Sequence, residues 1–309
     1  MVERVLIACP FSERLLDVLH EAGVEVDYRP KASQGEFDEL YTGYDGLVVR
    51  GNIQVRPVKG RGRLKVIVRA GAGVDNIAVE EFAGLGVKVF NTPDAVAESV
   101  GELVIGLMIS LSRGIVRAAA ALSRGEWLKQ GLIGQELAGK TLGIIGLGRI
   151  GRVVARIAHA MGMRILVYDV VKFGVELLAQ YKAEQVDLEK LLSEADYITI
   201  HVPLTEVTRG MIGERELRMM KKTAYLINTA RGQIIDQEAL KRALKEEWIA
   251  GAALDVFAEE PPRDLELLSL PNLIPTPHIG AQTKEAQEKA ALEAVQILLR
   301  ELKGVRACP

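Results

Sequence analysis

Gly143-Ile144-Ile145-Gly146-Leu147-Gly148-Arg149-Ile150-Gly151 sets a Gly-x-Gly-x-x-Gly pattern directly after a short apolar run and at the start of a helical one. Alone the pattern is common, but strand, tight turn and helix N-terminus in that order are what a dinucleotide pyrophosphate requires. Gly146 permits the turn, Gly148 lets the backbone approach the phosphates, and Gly151 lets helix and strand pack closely. The helix start then offers unpaired N–H groups and a positive dipole end to the phosphates. Asp169 follows about 20 residues on, at the end of the next apolar run, Ile165-Leu166-Val167-Tyr168. A carboxylate there accepts from the adenine-ribose hydroxyls and repels a 2′-phosphate, so NAD is expected rather than NADP. Lys172, three residues further, tempers that preference.

On both sides of this segment, short β-branched runs alternate with helical stretches, which implies parallel sheets covered by helices. In the first series, strands are expected at 2–8, 47–50, 66–69 and 87–90. A helix is expected at 12–22, with Ser12 as N-cap and Gly23 as stop. In the second, strands are expected at 142–145, 164–168, 197–200, 224–228 and 250–255, with 276–278 closing the series. Helices fall at 150–161 and 237–246. Residues 94–123 read as one long helix, apolar over much of its surface. Such a helix is buried between domains or packed against a second copy of the chain. Residues 283–302 read as a last helix that returns to the first domain. The expectation is therefore an α/β protein of two doubly wound parallel-sheet domains, as 309 residues allow.

Composition narrows the class. Apolar residues make up 49 % and charged residues 26 %, and the net charge of −2 argues against a dedicated nucleic-acid binder. The longest uncharged apolar stretch, 103–111, is too short for a membrane span, and the apolar run at 5–9 is too short for a secretory signal. The two cysteines, Cys9 and Cys308, form no disulfide framework and no metal-ligand spacing. A cytoplasmic protein without a metal site is expected.

Three further groups carry chemistry. Arg69-Ala70-Gly71-Ala72-Gly73-Val74-Asp75-Asn76 is a second glycine turn after an apolar run. It is read as a small anion cradle for a substrate carboxylate, with a plain structural turn as the alternative. A hydride-accepting dinucleotide needs a base to take the alcohol proton, and histidine suits that near neutral pH. Of four histidines, His20 and His159 lie within helical stretches away from the glycine loop. His201 ends the run 197–200, at the carboxyl edge where ligands bind. His278 lies in the rigid Thr276-Pro277-His278-Ile279-Gly280-Ala281 and stands ahead of His201 by position; both remain candidates. A neutral imidazole needs a partner, and Glu259-Glu260-Pro261-Pro262 offers two carboxylates or an ordinary solvated turn. Arg231, in Asn228-Thr229-Ala230-Arg231-Gly232, could grip a carboxylate bidentately and polarise the adjacent carbonyl.

These segments, with His201-Val202-Pro203-Leu204-Thr205, resemble the D-isomer-specific 2-hydroxyacid dehydrogenase family over essentially the whole chain. The resemblance implies a catalytic trio of Arg231 on the substrate, His278 as acid/base and Glu260 as its orienting carboxylate. It places Gly146, Gly148, Arg149, Ile150, Gly151, Asp169, His201, Val202, Thr229, Ala230, Asp255, Gly280, Ala281 and Ala72 against NAD, with Asp255 on the carboxamide. It places Arg50, Gly51, Asn52, Gly71, Ala72 and Gly73 on the substrate beside Arg231 and His278. It implies a split domain, with 1–94 plus 282–309 for the substrate and 95–281 for NAD and the dimerisation helix, and an active-site cleft between them. Partners would be a small 2-hydroxy or 2-oxo acid and a second copy of the chain, with tetramers open. The expected reaction is oxidation of 3-phosphoglycerate. Glyoxylate or hydroxypyruvate reduction is the nearest alternative, and an NAD-sensing interaction module is a distant one. Arg50-Gly51-Asn52-Ile53 departs from the Arg-Ser-x-Thr of many relatives, which leaves recognition of the substrate's far end open. The short stretch after Ala281 suggests no regulatory domain and no serine feedback.

Overall fold

The computed structural model describes residues 2–304; Cys308 lies outside them. The chain divides into two compact units, one of residues up to Ala97 with those from Ala281, the other Glu98–Gly280. In chain order the first unit opens with β1 (Glu3–Ile7), α1 (Glu13–Glu21), β2 (Val24–Tyr28), α2 (Gln34–Leu40), β3 (Gly46–Val49), β4 (Val66–Arg69), α3 (Val79–Gly84) and β5 (Lys88–Asn91). Then come α4 (Pro93–Arg113), α5 (Ile115–Ser123), β6 (Thr141–Ile145), α6 (Arg149–Ala160), β7 (Arg164–Tyr168), α7 (Val175–Gln180) and β8 (Ala183–Gln185). The series continues with α8 (Leu188–Glu194), β9 (Tyr197–Ile200), α9 (Glu214–Met219), β10 (Tyr225–Asn228), α10 (Gln237–Lys245), β11 (Gly251–Leu254), α11 (Leu265–Leu268), β12 (Leu273–Pro275) and α12 (Lys284–Lys303).

The first unit is a parallel sheet in the order β2-β1-β3-β4-β5. Its inner strands are buried on both faces, as β-branched runs in a parallel sheet must be. One face packs Val5, Ile7, Val48, Val66 and Val68 against Ala290, Ala294, Val295 and Leu298 of α12. Thr283 caps that helix by accepting from the Ala286 N–H, and Gly304 ends it at φ 68°.

The second unit is a seven-stranded parallel sheet in the order β12-β11-β10-β9-β6-β7-β8. Its chain order reverses beside β6, between β6 and β9, and ligands bind at the carboxyl ends of the strands at such a switch point. One face carries Val154, Ala155 and Ala158 of α6 with Val104 and Met108 of α4. The other carries Leu191, Leu217, Leu240 and Leu244 of α8 to α10.

Several expectations change in detail. The 94–123 helix is broken at Gly114, which adopts a left-handed φ of 59° and separates α4 from α5. By length and composition α4 could cross a membrane, although 61 % of its most apolar window is buried within the fold. The closing strand is β12, and 276–278 form the loop that follows it, with His278 at φ 52°. Ser12 occupies the N-cap of α1, but its side chain makes no capping bond.

Candidate active site

In the second unit the glycine loop has the geometry a pyrophosphate needs. Gly146 sits at φ 96°, and a Cβ there would lie 2.9 Å from the His201 carbonyl carbon. A Cβ on Gly151 would lie 2.2 Å from the Gly146 oxygen, so only glycine lets α6 start against the turn. A Cβ on Gly148 would meet open space, which leaves room for a ligand. Asp169 braces the loop from the end of β7: its Oδ2 accepts from the Leu147 N–H at 2.9 Å and its Oδ1 from the Val171 N–H at 3.0 Å. Arg152 Nε donates to the Leu147 carbonyl at 3.2 Å from α6. The carboxylate at the end of β7 and the glycine turn at the end of β6 are thus held side by side.

At the end of β10, Asn228 folds the chain back on itself. Its Oδ1 accepts from the Ala230 N–H and its Nδ2 donates to the Arg231 carbonyl at 2.8 Å. A Cβ on the next residue, Gly232, would lie 1.9 Å from the Phe257 carbonyl carbon, so the backbone after β10 presses against the backbone after β11. That contact brings Arg231 near Glu260. Arg231 Nη1 donates to the Ala230 carbonyl at 2.6 Å.

Glu260 Oε1 accepts from the Phe257 N–H at 3.1 Å, and Oε2 lies 2.8 Å from His278 Nδ1. Glu259 instead pairs with Arg263 at 3.0 Å on the surface, so Glu260 alone of the two reaches the imidazole. Partial burial pushes the Glu260 carboxyl up, but the His278 hydrogen bond and charge, the Phe257 N–H and the Arg231 charge outweigh it. The net result lies below the ordinary carboxylate value. An ionised Glu260 fixes the proton on Nδ1 and leaves Nε2 with a lone pair for proton transfer. The His278 backbone is held by Asp255: its carbonyl accepts the His278 N–H at 2.9 Å. The buried Asp255 carboxylate accepts from Thr276 Oγ1 at 2.6 Å and from the Ile279 and Gly280 N–H groups. Gly280 is tied in turn by Ser99, whose hydroxyl donates to its carbonyl at 2.6 Å. Asp255, read for its part in cofactor binding, is thus also the anchor of the histidine loop.

His201 ends β9, and its Nε2 lies 2.9 Å from Thr199 Oγ1. Burial pushes its imidazole down to about 3, so it is neutral at any working pH. His20 is exposed on α1 and His159 half-buried on α6.

In the first unit, Cys9, Arg50 and Arg69 follow or end the neighbouring strands β1, β3 and β4. The two guanidiniums lie near enough to the buried Cys9 to oppose its burial, which nevertheless pushes the thiol up to about 12. Gly71 (φ 142°) makes room for Arg69: a Cβ there would lie 1.6 Å from its Nη1, and one on Gly51 3.5 Å from its Nη2. The turn is held by Thr92 Oγ1, which accepts from the Gly71 N–H at 2.8 Å, and by a bond from Asn91 Nδ2 to the Ala72 carbonyl. Asn76 Nδ2 donates to the Arg50 and Ile53 carbonyls, tying the 50–53 turn to the 71–76 turn. Arg69, Asn76, Asn91 and Thr92 were not among the expected substrate contacts. Their one legible signal is a basic residue ending a buried strand directly before a glycine turn.

Comparison with known proteins agrees with this geometry. The family described as D-isomer specific 2-hydroxyacid dehydrogenase, NAD binding domain, matches residues 105–280. D-3-phosphoglycerate dehydrogenase of Methanocaldococcus jannaschii is 45 % identical over 97 % of this chain and 58 % of its own length. Hydroxypyruvate reductase of Thermotoga maritima is 46 % identical over 84 % of this chain and 85 % of its own. Among solved structures, the TT0316 protein of Thermus thermophilus superposes with a TM-score of 0.89 at 35 % identity, covering 97 % of each chain. The chain spans little more than half the length of the first of these relatives.

Proposed function

The chain belongs to the D-isomer-specific 2-hydroxyacid dehydrogenase family, and from that premise we propose that it oxidises D-3-phosphoglycerate to 3-phosphohydroxypyruvate. The carrying observation is the 2.8 Å pair of His278 Nδ1 and Glu260 Oε2 on the loop that follows β12, with Arg231 in the neighbouring loop. When bound, NAD would supply the hydride acceptor for C2 of the substrate. Its contacts are assigned to the glycine loop (Gly146, Gly148, Arg149, Ile150, Gly151), Asp169, His201, Val202, Thr229, Ala230, Asp255, Gly280, Ala281 and Ala72. The open space over Gly148 and the Asp169 carboxylate beside it support that assignment.

His278 Nε2 takes the hydroxyl proton while Glu260 stabilises the imidazolium that forms. Arg231 binds the carboxylate and the oxygen on which charge develops. Arg50, Gly51, Asn52 and the turn Gly71-Ala72-Gly73, with Arg69, are assigned the substrate's anionic groups. Two guanidiniums at adjacent strand ends suit a dianion such as phosphate.

Side by side, D-3-phosphoglycerate and D-glycerate separate the substrate readings, with hydroxypyruvate and glyoxylate run in the reverse direction. The expected result is a kcat/KM at least tenfold higher for the phosphorylated acid. The Thermotoga maritima relative, which covers most of both chains, favours the second reading. Equal or better rates without phosphate would establish that reading, a hydroxypyruvate or glyoxylate reductase.

The quaternary part of the proposal is a homodimer built on α5 and the segment after it. Ile115, Val116 and Leu122 are about half exposed, Trp127 is 78 % and Ile133 95 % exposed. Exposed apolar side chains gathered in one stretch mark an association surface. Light scattering should give twice the 33.7 kDa chain mass, and Leu122→Glu with Trp127→Glu should halve it; a wild-type monomer would refute the dimer. A cytoplasmic location belongs to the same proposal.

A further inference from the structure

Strands β10, β11 and β12 lead into Arg231, Asp255 and His278 at their carboxyl ends. At the other edge of the same sheet, where Tyr225, Gly251 and Leu273 begin these strands, lies a cavity of about 730 Å³. Small-molecule sites have volumes of roughly 300–1,000 Å³. The walls are the end of α4, the start of α5, the 131–134 turn and the 269–274 loop, all within the second unit. None of the lining residues belongs to a carboxyl-edge loop, so the cavity is separate from the site of Glu260 and His278.

Two features of the lining point to a ligand. The first is charge. Arg113, Arg117 and Arg124 line the cavity, and among the described residues that line it there is no carboxylate. Arg124 is engaged by Glu126 at 2.9 Å. Arg113 and Arg117 make no side-chain hydrogen bond or ion pair among the described residues. Arg113 has a local reason for its place, because a cation in the last turn of α4 meets the negative end of that helix. Arg117 has none: it stands in the first turn of α5, where the positive helix end disfavours it. Guanidiniums around one opening repel one another, and an anion between them removes that repulsion.

The second feature is an apolar and aromatic surface beside the charge. Tyr225 stacks on Tyr197 with ring centroids 5.5 Å apart, and the Tyr197 hydroxyl lies 2.6 Å from Ser112 Oγ. Leu111, Leu132 and Ile274 continue that surface. Burial pushes the Tyr225 phenol up, so its hydroxyl stays protonated and can donate. We propose that this cavity binds a phosphate monoester with an apolar or aromatic body, its phosphate held by Arg113 and Arg117 and its body against Tyr225. Guanidinium forks match phosphate oxygens bidentately, and a monoester presents those oxygens at one end only. Val116 and Ile133 line the same cavity and belong to the association surface proposed above, which makes a second copy of the chain the competing occupant.

Hydrogen exchange of the whole chain, read by mass spectrometry with phenyl phosphate or inorganic phosphate at matched ionic strength, tests the proposal. Phenyl phosphate should slow exchange in peptides covering 110–117, 131–134 and 269–274, at about tenfold lower concentration than inorganic phosphate. Peptides covering 143–151 report phosphate held by the glycine loop instead. Arg113→Gln with Arg117→Gln should weaken the cavity protection by about tenfold or more and leave that of 143–151 unchanged. Arg113→Lys with Arg117→Lys keeps the charge and loses the forks, so it should fall between. Both arginines are exposed, so these variants should melt with the wild type and keep its mass by light scattering. Protection confined to 143–151, or cavity protection unchanged in the glutamine variant, would overturn the proposal. So would equal potency of the two phosphates, which would leave the aromatic surface without a part. A halved mass in the glutamine variant would assign both arginines to the contact between copies and overturn it as well.

Discussion

His278→Ala is expected to lower kcat by about 10²–10⁴, the usual worth of a positioned general base, while NAD affinity measured by calorimetry stays within a few-fold of wild type. The separation follows from the geometry. The imidazole hangs from a loop fixed by Asp255 and Gly280 backbone contacts, and its side-chain hydrogen bond goes to Glu260. Removing it takes away the proton acceptor without disturbing the glycine loop. Glu260→Gln belongs to the same experiment: the amide cannot stabilise an imidazolium as a carboxylate does, so kcat should fall while NAD affinity is kept. The sign for Glu260 itself is the ordinary carboxylate one. Its pKa is lowered in the fold, so its stabilising pair with His278 is present above the unfolded carboxylate value and is lost only as pH falls through the lower folded one. Near-normal turnover in His278→Ala would remove it from the chemistry and return the role to His201. That alternative is physically poor: a buried imidazole held down to about 3 is a weak base with its far nitrogen already engaged by Thr199.

Arg231→Gln is expected to be as damaging by another route, with kcat/KM reduced by about 10²–10³ and much of the loss in kcat. Arginine supplies a fixed charge and a bidentate fork at the carboxylate, together with a donor aimed at the oxygen on which charge develops. Lysine restores the charge and loses the fork, so Arg231→Lys should recover substrate affinity better than turnover. Steady-state kinetics of the three proteins settles it. A loss confined to KM with kcat intact would mean that Arg231 only binds the substrate. The Gly232 contact with Phe257 and the Asn228 clamp make this loop rigid, so both substitutions should leave the melting temperature within a few degrees of wild type.

The parts of this arrangement that sequence could show are those with an invariant physical demand. Gly146 and Gly151 each answer a separate steric requirement and Asp169 directly follows the next strand, so the shape of the glycine turn was legible without coordinates. The buried strands β4, β7 and β9 carry continuous β-branched runs and fell at their observed limits. The edge strands did not. In β2, Val24-Glu25-Val26-Asp27-Tyr28 breaks its apolar run with charge, and Ala183-Glu184-Gln185 of β8 has almost no apolar signal. The break at Gly114 was hidden because apolar residues continue on both sides of it.

In the site, the residue types alone left the pairings open. Nothing in Glu259-Glu260 by itself says which glutamate turns inward; the family resemblance singled out Glu260, and the Phe257 N–H on it and the Arg263 pair on Glu259 are the physical reason. The loop of His278 read as a closing strand because Thr276 favours extended chain, whereas the positive φ at His278 depends on the bonds from its backbone to Asp255 and Thr276. Arg69 over Gly71 was invisible for a similar reason. A glycine needed to clear a neighbouring guanidinium looks, in sequence, like any other glycine of a turn.

Oxidation of D-3-phosphoglycerate deuterated at C2, followed by mass analysis of the NADH formed, tests the central claim most directly. Direct transfer to the cofactor with enzyme-held proton removal gives NADH carrying one deuterium from the D-enantiomer and no turnover of the L-enantiomer. Absence of NADH with every D-2-hydroxy acid tried, or NADH formed without the label, would contradict it.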